Sequence, residues 1–225
     1  MFPALLLMMN SPWFIIADDF TGSGDSAVQF RIDGHPARLI LGRYTPKLGD
    51  RRSSAIVVDS ATRFLSGAEA YEPVRAISES LKRAGARRFF KKIDSTLRGN
   101  IADEIAAVMD GAGYSAAVVC PAAPRNGRTV VDGICLVDGL PVGSTDSSRD
   151  RFTPVAEARI ASHFERRFGS TVAELPLSAI RSSTERLVRD VERMASEGIR
   201  VFIADAENLA DLGAIARLSS IRGVL

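Results

Sequence analysis

Short apolar runs alternate with helical patterns along almost the whole chain, and this alternation limits the fold more than any other feature of the sequence. Several runs are apolar on both faces, as expected for strands in a sheet that helices cover on both sides. The predicted strands are Trp13–Ala17, Ala37–Leu41, Ala55–Asp59, Arg88–Ile93, Ala116–Cys120 and Arg200–Ala204. The predicted helices are Ser26–Asp33, Ala68–Ala84, Ile101–Asp110, Val155–Phe168, Ser183–Glu197 and Leu209–Leu218. This order predicts an α/β fold, a three-layer, mostly parallel sheet flanked by helices.

One segment, Arg128–Val142, departs from this alternation. Its sequence RTVVDGICLVDGLPV repeats Val-Asp-Gly, and an Asp-Gly pair between β-rich runs is typical of a tight hairpin turn. We therefore predict a small β-hairpin insertion here, with a turn at Asp138-Gly139. No repeat, low-complexity tract or long linker divides the chain, so we predict a single domain over residues 1–225.

The composition and charge argue against several classes of partner and site. With 29 Lys and Arg against 27 Asp and Glu, the net charge is only +2 and the basic residues are scattered, so nucleic acid is not a predicted partner. Two cysteines without a CxxC motif and only two histidines argue against a zinc site or a disulfide framework. We predict no metal site in the chain and a reducing, cytoplasmic location.

A membrane is not a predicted partner either. No apolar run approaches the ~20 residues that a membrane span needs. The opening MFPALLLMMN has no basic region and only a short apolar run, so we interpret it as an N-terminal extension rather than a signal peptide.

The first predicted strand ends at two adjacent acids, Asp18 and Asp19, in the stretch FIIADDFTGSGDSAVQF. In open α/β sheets, ligands bind beyond the carboxyl ends of strands, where the chain turns into a helix. A TGSG turn lets the backbone approach a ligand closely, and a carboxylate there accepts hydrogen bonds from hydroxyls, acts as a base or holds a metal. Alternatively, Asp19 or Asp25 only caps the next helix. The spacing alone leaves both interpretations open.

A second polar loop, KKIDSTLRGN from Lys91 to Asn100, follows the fourth predicted strand. Its side chains combine cations, hydroxyl donors and an acceptor, and include Lys92, Asp94, Ser95 and Arg98. Such a set suits a phosphate or a polyhydroxy acid. The alternative is a solvated turn with a Lys–Asp pair.

Arginines follow two further strand ends. Arg63 lies in DSATRF, and Arg125 and Arg128 lie in CPAAPRNGRT. The planar fork of arginine matches a carboxylate bidentately. Arg63 alone, however, is more typical of a surface residue, and the later pair is equally typical of a turn into the hairpin. Because parallel strands bring their carboxyl ends to one edge, we expect these loops to line one cleft for a small, hydroxylated, anionic ligand.

Four motifs, in this order along the chain, resemble the four-carbon acid sugar kinases (the D-threonate and D-erythronate kinase group). They are ADDFTGSGD, KKIDSTLRGN, GRTVVDGICLVDGLPV and DAENLADL. The resemblance implies ATP-dependent phosphorylation, with Mg²⁺, of a hydroxyl of a four-carbon aldonic acid such as threonate or erythronate. Since the chain stops at SSIRGVL, where the family runs on, the resemblance implies that it is the sugar-acid-binding half. ATP and Mg²⁺ are then expected mainly from a C-terminal nucleotide-binding domain.

The same resemblance assigns site residues. The substrate-binding positions correspond to Asp18, Arg63, Lys92, Ile93, Asp94, Ser95, Arg98 and Arg128. The candidate catalytic residues are Asp18 and Asp19, one of which we expect to orient and deprotonate the attacking hydroxyl. Arg63 and the Lys92–Ser95 loop are expected to bind the substrate's carboxylate and hydroxyls, and Lys92 or Arg98 to offset charge on the transferred phosphoryl group.

The chain also departs from the family pattern. Where the family has DPxxPVxxS this chain has DRFTPVAEA, with Arg151 for proline and Ala158 for serine, which leaves the contribution of Asp150 open. The rival interpretations are a non-catalytic sugar-acid-binding module and, from the glycine turn and the α/β order, a Rossmann-type oxidoreductase. The predicted partners are a small sugar acid, a separate nucleotide-binding chain and a second copy in a homo-oligomer.

Overall fold

The computed structural model describes residues 12–42 and 54–225. The N-terminal extension predicted for the first ten residues lies outside this part of the chain. The described residues divide into two compact units: a first unit of residues 12–42, 54–93 and 103–113, and a second unit of residues 94–102 and 114–225. Within the described ranges, no helix is long and apolar enough to cross a membrane.

The first unit is built on a four-stranded parallel sheet. The strands are β1 (Trp13–Ala17), β2 (Ala37–Leu41), β3 (Ala55–Asp59) and β4 (Arg88–Lys92). The helices are α1 (Phe20–Ile32), α2 (Gly67–Arg83) and, apart from its first two residues, α3 (Ile101–Ala112). In the order β2-β3-β1-β4 the two central strands are almost wholly buried, since they are apolar on both faces. Ala17 is in register with Asp59 on one side and Lys92 on the other, so β1, β3 and β4 end at one edge.

Helices α2 and α3 approach each other closely at Gly111. A Cβ atom on Gly111 would lie 2.6 Å from the carbonyl oxygen of Arg75 and 2.7 Å from Cβ of Ser78. The sequence predicted that this helix ends at Asp110, but α3 continues through Gly111 to Ala112 and is followed by Gly113, whose φ is +78°. Gly111 therefore serves helix packing, and Gly113 takes the left-handed conformation after the helix.

Replacing Gly111 with alanine should destabilise the protein although alanine favours helices. The added methyl group would overlap the backbone of α2, and overpacking of this kind lowers the free energy of unfolding by about 1–3 kcal/mol. Gly24 is a matched control, because it also lies inside a helix and a Cβ there would meet no atom within 4 Å. Gly24→Ala should leave stability equal or higher by up to about 1 kcal/mol. Urea unfolding measures both, and equal stability of the two variants would contradict this role of Gly111.

The second unit contains one parallel and one antiparallel sheet, each three-stranded. Its strands are β5 (Ala117–Val119), β6 (Arg128–Val131), β7 (Ile134–Val137), β8 (Leu140–Pro141), β9 (Val172–Leu175) and β10 (Val201–Ala204). Its helices are α4 (Ile160–Phe168), α5 (Leu177–Ile180), α6 (Thr184–Ser196) and α7 (Leu209–Ala216). Short 3₁₀ helices cover Pro124–Asn126, Val142–Ser144, Asp146–Arg149, Gly169–Thr171 and Arg217–Ser220. In the parallel order β5-β10-β9, the central β10 is fully buried and Phe202 packs with Leu187 and Val191 of α6.

The antiparallel sheet is the insertion predicted from the repeated Val-Asp-Gly. Its strands follow the order β6-β7-β8. The Asp132-Gly133 turn has φ values of +53° and +71°, and the Asp138-Gly139 turn has +50° and +81°. Positive φ at both central residues is what a two-residue turn needs to match the twist of its strands, and Asp-Gly tolerates it. The predicted hairpin is confirmed, with one additional short strand.

The predicted α/β class is confirmed, and the bounds of β1, β2 and β3 agree with the prediction. Other details differ. Helix α1 begins at Phe20 instead of Ser26, α4 begins at Ile160 instead of Val155, and β9 was not predicted. The strands also form two parallel sheets, so the argument that successive strand ends share one edge holds for β1, β3 and β4 and not for β5.

Candidate functional site

Asp18 and Arg63 form a buried ion pair at the carboxyl edge of the first sheet. Asp18 directly follows β1, and Arg63 lies in the loop after β3. Nη2 of Arg63 donates to Oδ1 of Asp18 at 2.8 Å, and Nε donates to Oδ2. Asp18 is 3% exposed and Arg63 is 6% exposed. Both charges are thus nearly withdrawn from water, and the bidentate geometry supplies each with the partner that a buried charge needs.

The loop that carries Arg63 is fixed to the end of β1 through its backbone. The N–H groups of Thr62 and Arg63 both donate to the carbonyl oxygen of Asp18, at 3.0 and 3.1 Å. Ala61 adopts a φ of +53°, and its N–H donates to Oδ1 of Asp59 at 2.9 Å. A non-glycine residue in this region is held there by its surroundings, and such residues occur preferentially at functional sites.

Asp19 both caps a helix and contacts the ion pair. Its Oδ1 accepts a hydrogen bond from the N–H of Gly22 at 2.9 Å, which satisfies the first turn of α1. The same oxygen lies 3.1 Å from Nη2 of Arg63, and the side chain is 25% exposed. The capping interpretation is therefore confirmed at Asp19, and its role toward a ligand stays a prediction. Asp25 is exposed within α1 and does not occupy its N-cap.

Lys92 lies at the end of β4 beside Asp19. A Cβ atom on Gly22 would lie 2.8 Å from Oδ1 of Asp19 and 3.7 Å from Nζ of Lys92, so the glycine leaves room for both groups. Nζ of Lys92 donates to the carbonyl oxygen of Ile93 at 2.7 Å. The first unit thus brings together four of the predicted site side chains, those of Asp18, Asp19, Arg63 and Lys92.

In the second unit, Asp94 organises the STLRG loop. Its Oδ2 accepts from the N–H and the hydroxyl of Thr96 at 3.0 and 2.5 Å. Arg98 donates to both carboxylate oxygens, from Nε at 3.0 Å and from Nη2 at 2.9 Å. Leu97 between them is buried with a φ of +64°. The loop is therefore a folded turn in which Asp94 pairs with Arg98.

Asp150 extends this arrangement, although the residues around it depart from the family pattern. Its Oδ2 lies 3.5 Å from Nη1 of Arg98. The backbone N–H groups of Thr153 and Phe152 each donate to Oδ1 at 2.9 Å, and these bonds, with Arg98, lower the pKa of Asp150. In this chain Asp150 makes these contacts with Arg151 as the next residue.

Two further predicted positions of the second unit make mainly backbone contacts. Arg128 begins β6 and donates through Nη1 to the carbonyl oxygen of Asn126. The carbonyl oxygen of Ser95 accepts from Sγ of Cys135 at 3.4 Å. Burial raises the pKa of the Cys135 thiol to about 11, which keeps it protonated as a donor at neutral pH. That the site residues of both units line one cleft stays a prediction.

The sequence analysis missed three buried polar residues of the first unit: Thr62, Lys91 and Glu104. Oε2 of Glu104 lies 2.7 Å from Nζ of Lys91, and Oε1 accepts from the hydroxyl of Thr62 at 2.7 Å. The exposed fractions are 1% for Glu104, 7% for Lys91 and 0% for Thr62. One signal was present in the sequence, because Glu104 lies on the same helical face as the apolar Val108 four residues later. An acid on an apolar face indicates a buried partner.

Comparisons with known proteins place the chain among sugar-binding domains. Residues 13–223 match the family described as "Sugar-binding N-terminal domain". The chain is 38% identical to a D-threonate kinase of Bordetella bronchiseptica over 96% of its own length and 52% of the relative. It is 31% identical to a D-erythronate kinase of Heliobacterium modesticaldum, over 93% of its length and 48% of the relative. The chain thus spans about half the length of the curated relatives it matches.

A solved structure shows the same fold. A crystal structure from Bordetella bronchiseptica, described as a domain of unknown function and as a domain-swapped dimer with bound citrate, is 37% identical with a TM-score of 0.78. The match covers 91% of this chain and 49% of that one.

Proposed function

Because the chain belongs to the four-carbon acid sugar kinase family, in which it corresponds to the sugar-binding N-terminal domain, we propose that it binds a four-carbon sugar acid for ATP-dependent phosphorylation of a hydroxyl group. The observation that carries the proposal is the Asp18–Arg63 pair at the carboxyl edge of a parallel sheet. Ligands of open α/β sheets bind at this edge. The names of the relatives, D-threonate kinase and D-erythronate kinase, support the substrate class.

The charges of the first unit suit a small hydroxylated anion. Asp18 and Asp19 are acceptors for substrate hydroxyls, and Lys92 is a cation for the carboxylate. Since the fork of Arg63 already holds Asp18, its main role in the proposal is to fix that carboxylate. The citrate in the Bordetella bronchiseptica structure supports this ligand class, because citrate is itself a hydroxylated carboxylate.

Phosphorylation requires that the attacking hydroxyl be oriented and lose its proton as the new oxygen–phosphorus bond forms. Asp19 and Asp18 are the candidate bases, since each is a carboxylate held by neighbouring donors at the sheet edge. In the first unit, Lys92 is the cation proposed to offset charge on the transferred group. Positioning and charge neutralisation are most of what phosphoryl transfer asks of a protein.

ATP supplies the phosphoryl group in this proposal, and Mg²⁺ neutralises its charge when bound. The residues present do not form a cage for the ion: in residues 12–42 and 54–225 no three His, Cys, Asp or Glu side chains are grouped to hold a metal. Both oxygens of Asp18 are also engaged by Arg63. We therefore propose that ATP and Mg²⁺ are held mainly by a nucleotide-binding partner, either another chain or another part of the same protein. A homo-oligomer, supported by the domain-swapped relative, stays a prediction.

Calorimetric titration of the chain with D-threonate and D-erythronate tests the proposal. We expect saturable binding of at least one acid and a loss of affinity of about tenfold or more in Asp18→Asn, since a hydrogen bond to a charged group contributes about 1.5–3 kcal/mol. Asp25→Asn is the matched control, because Asp25 is an exposed acid on α1. Absence of binding to either acid, or equal affinity of Asp18→Asn and the parent, would contradict the proposed site.

The same titration, followed by an activity assay, separates a kinase half from a non-catalytic module. With ATP and Mg²⁺ alone we expect little or no turnover. Addition of the C-terminal half of the Bordetella bronchiseptica D-threonate kinase should produce phosphorylation of the bound acid. Sugar-acid binding without turnover in that mixture would favour the module.

A further inference from the structure

We propose that Glu104 is a positioning residue for sugar-acid binding, which fixes the two loops around the ligand without touching it. The inference rests on the proposed function and on contacts within the first unit. Glu104 lies in α3, is 1% exposed, and was not among the residues that the family motifs single out.

One oxygen of Glu104 fixes the loop that carries Arg63. Oε1 accepts from the Thr62 hydroxyl at 2.7 Å, and the same hydroxyl lies 2.8 Å from Oγ of Ser60. Ser60 in turn donates to the carbonyl oxygen of Ala17 at 2.8 Å. Because each hydroxyl has one proton and these go to Glu104 and Ala17, the contact that holds the Thr62 side chain is its hydrogen bond to Glu104.

The backbone of Thr62 transmits this position to the ion pair. Its N–H and that of Arg63 both donate to the carbonyl oxygen of Asp18. A shift of Thr62 would therefore move the start of the Arg63 side chain and the backbone of its carboxylate partner together. The φ of +53° at Ala61 adds a conformation that persists only where the surroundings hold it.

The other oxygen of Glu104 fixes the end of β4. Oε2 lies 2.7 Å from Nζ of Lys91, and this ammonium also donates to the carbonyl oxygen of Lys92 at 2.8 Å. One buried carboxylate thus connects the loop after β3 with the strand end that presents Lys92. In the first unit, predicted site residues follow the ends of β1, β3 and β4, and Glu104 contacts groups at the last two of these.

Stability alone is a weak reason for this arrangement. Desolvation of two charges offsets most of their attraction, so a buried ion pair seldom stabilises a protein more than apolar residues of the same volume. A buried network of hydrogen bonds and ion pairs, here the hydrogen bond of Oε1 to Thr62 and the ion pair of Oε2 with Lys91, does impose one geometry on the groups it joins. Binding of a small ligand requires such fixed geometry, because small displacements of the contacting groups lose affinity.

Thr62→Val tests the inference, because valine keeps the shape of threonine and removes the hydroxyl that Glu104 binds. Two readouts are measured: hydrogen exchange of the Arg63 Nε–H by NMR, and affinity for D-threonate and D-erythronate by calorimetry. We expect exchange and the dissociation constant each to rise about tenfold or more, and Thr62→Ser to restore both. The magnitude follows from the loss of one buried hydrogen bond to a charged group. Val191→Ala, a cavity variant in the core of the second unit, is the control for a general loss of stability.

The outcomes separate the two proposals. If the parent chain binds neither acid, the proposed function is wrong. Hydrogen exchange of the Arg63 Nε–H, compared between Thr62→Val and the parent, then still tests whether Glu104 positions the Arg63 loop. If Thr62→Val leaves exchange and affinity at the parent values, or if Val191→Ala changes them equally, Glu104 has no positioning role. Should Thr62→Val fail to fold, Glu104→Gln replaces it, with the same expected direction in both readouts.

Discussion

Replacement of Arg63 with methionine should lower the free energy of unfolding by about 3–5 kcal/mol, because it leaves Asp18 charged, buried and without its bidentate partner. Methionine retains most of the length of the side chain, so the loss reports the charge rather than a cavity. Trp13, the only tryptophan in the sequence, begins β1 at the end of the strand opposite to the site and provides a fluorescence signal for urea unfolding of the first unit.

A double-mutant cycle identifies the cause of this loss. Arg63→Met combined with Asp18→Asn should be more stable than Arg63→Met alone, since the second change removes the unpaired charge. Arg63→Lys keeps the charge but not the planar fork, and it should fall between the parent and the methionine variant. If Arg63→Met lowers the free energy of unfolding by less than about 1 kcal/mol, the pair contributes no more than an exposed salt bridge does, and the prediction is wrong. Arg63→Met and Arg63→Lys should also bind the sugar acid more weakly than the parent, because Arg63 fixes the position of the Asp18 carboxylate. The loss of affinity should be larger for methionine than for lysine.

The strands of the first sheet could be predicted closely because their residues carry the signal themselves. AIVVD of β3 is buried throughout and apolar up to its last residue, and its predicted bounds agree with the structure. The beginning of α1 could not be predicted in the same way. FTGSG contains poor helix formers, and the helix starts there because the Asp19 side chain accepts the N–H of Gly22.

The division into two parallel sheets is not visible in local patterns. β4 and β5 are successive strands in the chain, and both are short, yet they belong to different sheets. Sheet membership depends on pairing over long sequence distances, such as that of β5 with β10. Periodicity reports which faces of a strand are buried and not which strand lies beside it.

The candidate site shows the same limit. Residue types and strand ends indicated that Asp18 and Arg63 matter, but the sequence analysis had each bind the ligand independently. The structure pairs them with each other across 45 positions of the sequence. Which of two complementary groups meets a ligand and which meets its neighbour depends on side-chain geometry that spacing does not encode.

The second large effect is expected at the ion pair of Lys91 and Glu104. Glu104→Leu should lower the free energy of unfolding by about 3–5 kcal/mol, because it leaves the Lys91 ammonium buried at 7% exposure without its carboxylate. The double variant with Lys91→Met should recover most of this loss, since both charges are then replaced by apolar groups of similar size. Urea unfolding followed by Trp13 fluorescence measures both variants.

In the double variant, the free energy of unfolding and the affinity for the sugar acid need not return together. Comparing the two distinguishes a positioning role of the ion pair from a purely stabilising one. If the pair serves mainly to position the two loops, the double variant should unfold near the parent midpoint and still bind the sugar acid about tenfold or more weakly, because Thr62 and the Lys92 carbonyl have lost their partners. If the pair serves only to stabilise the fold, affinity should return together with stability. A double variant that stays as unstable as Glu104→Leu would show instead that the Thr62 and Lys92 hydrogen bonds, and not the charges, hold this part of the first unit together.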